Sequence, residues 1–470
     1  MKSLKLFFLF IAICQISFAQ SVAQKLEAAF KNFENDEQNK YATSSLCVLD
    51  ANTGKIIYAK NENTGLATAS TLKTITSATA FYLLGKDFKY ETTLSYTGVI
   101  DHNGTLKGNI IIKGSGDPTL GSWRYEQTKE NNILNQWVSA IRNAGIKKID
   151  GSVIADDSAF GTQTMPEGWT WQDMGNYYGA GGGSICWREN QFDVNLNPGK
   201  NVGEDVGINS VSPVMPYLTL VNELKTGNRG SGDNAYGFLP PYTNVAYMRG
   251  TWGLDISKKG ISLALPDGAF DAAYRLQDTL SRLGINVVEQ AATSRLLSLA
   301  KKTLDTTNKH QLHSYLSPSL SEIVYWFNKK SINLYGEQLL KTIAYQQNKP
   351  GTTRSGANTL INFWGSKGID KKALNIIDGS GLSPGDRVTT FAMASILFQV
   401  QKENWFGDYY NSLPEYNGMK IKSGNISDVT AYAGYHTDKK GNKYIVVINV
   451  NNYYGSGISR KLFNVLDVLK

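Results

Sequence analysis

The stretch ATASTLKTIT, Ala67 to Thr76, sits between two segments of different texture. Before it, SSLCVLDANTGKIIYAKN (residues 44–61) alternates around Asn52-Thr53-Gly54 and predicts a β-hairpin. After it, SATAFYLLG (residues 77–85) predicts a buried helix that Gly85 stops. Ser70 and Lys73 therefore stand at a helix start, three positions apart and on one face. Two readings are open. Ser70 caps the helix and Lys73 is solvated, or Ser70 is a nucleophile and Lys73 its base, with unpaired N–H groups at the helix start ready to hold an oxyanion.

The pattern alone does not decide. Ser-x-x-Lys should occur about twice by chance in a chain this long, and Ser298–Lys301 is a second copy, within a helix-like run. Two later motifs weigh in. Ser331-Ile332-Asn333 falls between two helical patterns, where a helix cap is the competing reading. Lys422-Ser423-Gly424 ends the strand-like run GMKIKSG. A lysine there can point into a cleft, its neighbouring hydroxyl can hold a carboxylate, and glycine admits a substrate backbone. A second Lys-hydroxyl-Gly, Lys225-Thr226-Gly227, enters a polar glycine loop and reads as a turn.

The chain has 470 residues, 41% hydrophobic and 19% charged, which implies a folded protein of two or three domains. The formal charge is +8 without a dense Lys/Arg run, so nucleic acid is a poor partner and a diffuse attraction to an anionic polymer is compatible. Lys2 and Lys5, then LFFLFIAICQISFA, read as a secretory signal cleaved near Ala19. The expectation is an exported, periplasmic protein with at most peripheral membrane contact. Cys14 leaves with the signal. Cys47 and Cys186 remain, and a bridge between them is open. No HExxH or CxxC is present, and His310/His313 lie in a polar stretch, so no metal and no other cofactor is expected.

SVAQKLEAAFKNFEND, residues 21–36, predicts an amphipathic helix with a serine near its start. From about Tyr90 short strands dominate, interrupted by ENNILNQWVSAIRNAG as a helix, and helices return with DAAYRLQDTLSRLGI and AATSRLLSLAKKTLD. The last section holds GMKIKSG, VTAYAGYHT and KYIVVINVN as strands, then SRKLFNVLDVLK as a helix. This order predicts a mixed α/β unit formed by residues 20–90 and 290–470. Residues 91–289 would be one or two inserted domains, after a leader at 1–19.

The motifs SxxK, SxN and KSG, in that order, resemble those of the penicillin-recognising serine acyltransferases. GSGDPTL (Gly114–Leu120), GWTWQD (Gly168–Asp173) and DGSGLSPGDRVT (Asp378–Thr389) are similar to strings of the D-alanyl-D-alanine carboxypeptidase/endopeptidase type, the low-molecular-mass class C penicillin-binding proteins. The resemblance implies a β-lactamase/transpeptidase-like domain, an antiparallel sheet flanked by helices, split between the first two motifs by nested domains. It implies that Ser70 is acylated by a stem peptide of peptidoglycan and Lys73 takes its proton. By the same resemblance Ser331 relays protons and Asn333 binds the substrate amide. Lys422 sets the field, Ser423 and Gly424 hold the terminal carboxylate end, and the N–H groups of Ser70 and Asn425 form the oxyanion hole. Asp173 resembles an acidic residue facing the peptide side chain. β-Lactams would be covalent inhibitors.

A base must be neutral, so Lys73 has to fall from about 10.4 to near 7. Burial and a second cation at Lys422 would both act in that direction. Ser423 stands where many relatives carry threonine, and the hydroxyl survives. GAGGGSICWREN is unusually rich in glycine beside Asp173. Three rivals remain at this level. Gly381-Leu382-Ser383-Pro384-Gly385 matches an α/β-hydrolase elbow by letter, but Pro384 follows the serine and only His436 lies downstream. A serine β-lactamase would need a Glu-x-x-Leu-Asn string, which is missing. A non-catalytic wall-binding protein would not need the intact motif set.

Overall fold

The computed structural model describes residues 21–470, so the leader read at residues 1–19, Cys14 included, lies outside the described residues. A six-stranded antiparallel sheet organises one body. Its order is Ile56–Lys60, Thr43–Asp50, Lys443–Asn451, Val429–Thr437, Met419–Ile426 and Glu415–Tyr416. The hairpin near the N-terminus and the last three long strands thus share one sheet, and neither end of the chain could form it alone.

Period-two alternation divides the sheet's side chains between two cores. Cys47, Leu49, Ile445 and Val447 face one way, against Leu72, Ile75, Phe327, Leu339 and Leu397 of the buried helices. Leu46, Val48, Val446 and Ile448 face the other way, against Leu26 and Phe30 of the helix Val22–Glu34 and Leu462 of the helix Ile458–Leu466. Both faces are covered, which is why KYIVVINVN reads as an almost unbroken apolar run. Cys47 and Cys186 lie in the first core as two free, buried thiols, so the bridge left open by sequence is not made. Burial pushes both thiols up to about 12.

The strand-rich middle has cores of its own. One gathers Leu94, Ile112, Trp137 and Leu276. Another gathers Phe192, Val194, Met248 and Trp252. The sequence reading puts the end of this middle section at residue 289. His310–Leu316, beyond that position, pairs antiparallel with Glu91–Tyr96. The expected helix across residues 291–305 shrinks to Ser294–Leu299. His310–Leu316 is a polar edge strand with little buried surface, so it carries no alternation to read. Among the described residues no helix is long and apolar enough to cross a membrane.

Candidate active site

Ser70 lies in a 3-10 turn, Ala69–Leu72, that runs directly into the helix Lys73–Leu84. In such a turn residues i and i+3 eclipse, which stacks the two side chains. Ala69 just before has φ 44°, a left-handed conformation uncommon outside glycine and a local strain beside Ser70. Ser70 does not cap the helix. Lys73 Nζ donates to Ser70 Oγ over 2.8 Å, to Asn333 Oδ1 over 2.7 Å and to the Ser380 carbonyl over 2.7 Å. The cap reading of the motif is thereby excluded.

Lys73 is 0% exposed. Burial drives its pKa down to about 7, against the opposing pull of Asp378, Glu337 and Asp386. Near that pH much of it is a neutral amine, with two N–H bonds and one lone pair. Asn333 Oδ1 and the Ser380 carbonyl can only accept, so they take the two N–H groups. The lone pair is left facing the Ser70 hydroxyl. Lys422 is 1% exposed, and burial together with the Lys73 charge holds it well below the usual lysine range. Its Nζ donates to the Ser423 carbonyl over 2.8 Å. The repulsion expected between the two lysines is therefore felt at Lys422, while burial itself lowers Lys73.

The other expected residues take definite places. Ser331 ends the helix Leu320–Lys330 with φ 57°, half-buried, and Asn333 opens the helix Asn333–Gln346. Asn333 Nδ2 donates to the Tyr178 carbonyl over 2.8 Å, which ties this helix to the strand-rich middle of the chain. Asp173 accepts from the Thr170 hydroxyl and sits beside the Tyr178 phenol, whose pKa is raised by burial and then by that carboxylate. Gly424 faces the nucleophile turn, and Lys422 shares its side of the strand. Ser423 is half-buried, and Asn425 is exposed with its Oδ1 accepting from Thr430. The decoys separate cleanly. Lys225 pairs with Asp205 on the surface, the helix bearing Ser298 stops at Leu299, and Ser383 is a buried loop serine donating to the Gly168 carbonyl.

A Cβ on Gly424 would lie 2.8 Å from the Ser70 nitrogen and 2.8 Å from the Thr68 carbonyl. Any side chain there must push the strand off the turn that carries Ser70 N–H. Gly424→Ala is expected to slow acylation by about 100-fold, measured as the second-order rate of β-lactam labelling.

Three features escaped the sequence reading. The Ser380 carbonyl holds Lys73, and Asp378 shapes the loop that presents it. Asp378 accepts from the backbone N–H of Ser380, Gly381 and Ser383 and from Trp169 Nε1. Glu337, pushed up to about 8 by burial and then by Asp378, accepts from Gly379 N–H. On the same helix Lys341 donates to the Gly182 carbonyl and Gln338 to those of Gly116 and Gly183, so the glycine-rich stretch is pinned to it. The legible signal was the four-residue recurrence Asn333, Glu337, Lys341 along a buried helix. Removing Asp378 orphans four buried donors at about 1–3 kcal/mol each before relaxation. Asp378→Ala should therefore lower the unfolding free energy by roughly 3–5 kcal/mol, read as a shifted denaturant midpoint at constant slope.

A buried amine of lowered basicity stands against a serine, on a helix beneath an antiparallel sheet, an arrangement of the kind that activates a nucleophile. Known proteins point the same way. A D-alanyl-D-alanine carboxypeptidase of Actinomadura sp. (strain R39) is 25% identical over 435 residues, 87% of this chain and 78% of its own length. The carboxypeptidase DacB of Haemophilus influenzae is 25% identical over 433 residues, 87% of this chain and 85% of its own. In fold, the chain is similar to the crystal structure of penicillin binding protein 4 from Haemophilus influenzae. The TM-score is 0.78 at 23% identity, over 94% of this chain and 97% of that one. The model of the D-Ala-D-Ala carboxypeptidase 3 (S13) family matches residues 24–415, which include Ser70, Lys73 and the Ser331–Asn333 pair, and the chain belongs to that family.

Proposed function

We propose that the protein is a serine D-alanyl-D-alanine carboxypeptidase acting on peptidoglycan stem peptides, with endopeptidase action on their cross-links as a second use of the same site. The observation that carries the reading is the Lys73 amine, 2.8 Å from Ser70 Oγ with its N–H groups directed to two fixed acceptors. Ser70 Oγ adds to the carbonyl of the penultimate D-alanine as its proton passes to Lys73. The bond to the terminal D-alanine then breaks, and Ser331 relays the proton to the leaving amine. Water releases the acyl group by the reverse proton path. The N–H groups of Ser70 and Asn425 hold the oxyanion. Lys422, Ser423 and Gly424 receive the terminal carboxylate, Asn333 the substrate amide, and Asp173 faces the peptide side chain.

A β-lactam would acylate Ser70 in the same way and leave slowly, which makes it an inhibitor rather than a substrate. The body built from both ends of the chain is the catalytic unit, and the two cores of the middle section are inserted units. Export to the periplasm after cleavage near Ala19 fits such a substrate, with membrane contact at most peripheral and no nucleic-acid partner. The test is release of D-alanine from a soluble pentapeptide by the mature protein, blocked stoichiometrically by benzylpenicillin. Digestion of cross-linked muropeptides then reads the endopeptidase arm. Release that penicillin does not block, or no release at all, refutes the assignment.

A further inference from the structure

The hairpin Asp233–Phe238 and Val245–Gly253 belongs to the inserted section. Its inward side chains Ala235, Ala246, Met248 and Trp252 are buried in a core. The outward face of such a sheet ordinarily carries polar residues. Here it carries Tyr236, Phe238 and Tyr247 with Arg249. The cross-strand register sets Phe238 opposite Tyr247 and Tyr236 opposite Arg249. Tyr247 is 37% exposed, and Trp171, also 49% exposed, lies 6.2 Å from the Phe238 ring. The Arg249 guanidinium rests 4.9 Å from the Tyr247 ring centre and 5.5 Å from that of Phe238. Exposed Tyr247 and Trp171, with half-buried Tyr236 and Phe238 between them, gather aromatic surface on one face, which marks an interaction surface.

Two observations say what covers it. The patch is continuous with the cleft. Gly237 N–H of the hairpin donates to Asn176 Oδ1 over 3.0 Å, and two residues further on the Tyr178 carbonyl holds Asn333. Its charges are also internally balanced, Arg249 on Glu223 and Lys258 on Asp233, so it is suited to an uncharged partner. Pyranose rings offer an apolar C–H face to an aromatic plane, and their hydroxyl and N-acetyl groups meet a polar rim of the kind Arg249 and Glu223 supply.

We propose that the outward face of this hairpin, extended by Trp171, is a docking track for the glycan strand from which the substrate peptide hangs. The inference rests on the stem-peptide reading of the catalytic site and adds a second, sugar-binding surface to it.

The test separates the two. Peptide-free glycan strands are titrated against the full chain, and D-alanine release is measured on intact sacculi and on a soluble pentapeptide. The wild type is expected to bind the glycan. Tyr247→Ala is expected to weaken that binding about tenfold and to lower the sacculus-to-soluble rate ratio by a similar factor. Tyr247→Phe, which keeps the ring, should restore both. Soluble-peptide turnover reports that each variant is folded. Failure of the wild type to bind peptide-free glycan, or an unchanged ratio in Tyr247→Ala, overturns the proposal. Glycan binding needs no turnover, so a protein that binds strands but releases no D-alanine would refute the catalytic reading instead.

Discussion

Ser70→Ala is expected to yield a folded protein that takes up no fluorescent penicillin and releases D-alanine on the order of 10⁶-fold more slowly. The change removes one oxygen at the surface of the cleft. Lys73 keeps its bonds to Asn333 Oδ1 and the Ser380 carbonyl, so the frame around the missing hydroxyl should persist. With no oxygen nucleophile opposite the lone pair, neither peptide nor β-lactam can form an ester. The check is in-gel fluorescence together with an unchanged thermal transition. Covalent label that persists on the variant would move the nucleophile elsewhere, with Ser331 the first to test.

Lys73→Met should lower the acylation rate by roughly 10²–10⁴-fold, the range for loss of a positioned general base. Methionine fills nearly the same volume in a site that is 0% exposed, so the loss reads chemistry rather than a cavity. The pH dependence identifies the group. Below about 7 Lys73 is an ammonium and cannot accept the serine proton. Wild-type acylation should therefore rise about tenfold per pH unit in acid and level above about 7. The variant should lose that limb while keeping its fold. A wild-type profile flat from pH 5 to 8 would contradict a titrating Lys73.

Much of the frame was legible. The hairpin around Asn52-Thr53-Gly54, the helix stopped by Gly85 and the three C-terminal strands all form where alternation and turn residues put them. The motif order named segments that the fold brings together, and Lys73 meets both Ser70 and Asn333 directly. The helices Thr353–Ser366 and Thr390–Val400 and the edge strand His310–Leu316, a polar stretch in sequence, carry no such signal. An edge strand buries little and is held by backbone bonds to Glu91–Tyr96, which leave no mark on side-chain pattern.

The letters alone carry local and ordinal information. They set the i, i+3 spacing that stacks a hydroxyl under an amine, and the chain order of the segments that meet there. The lowered basicity of that amine comes from the packing around it. That property needs complete burial, an acceptor 260 positions away on Asn333 and a backbone carbonyl 307 positions away at Ser380. Desolvation depends on everything packed around the group, and a carbonyl is the same in every residue, so neither leaves a signature in the letters.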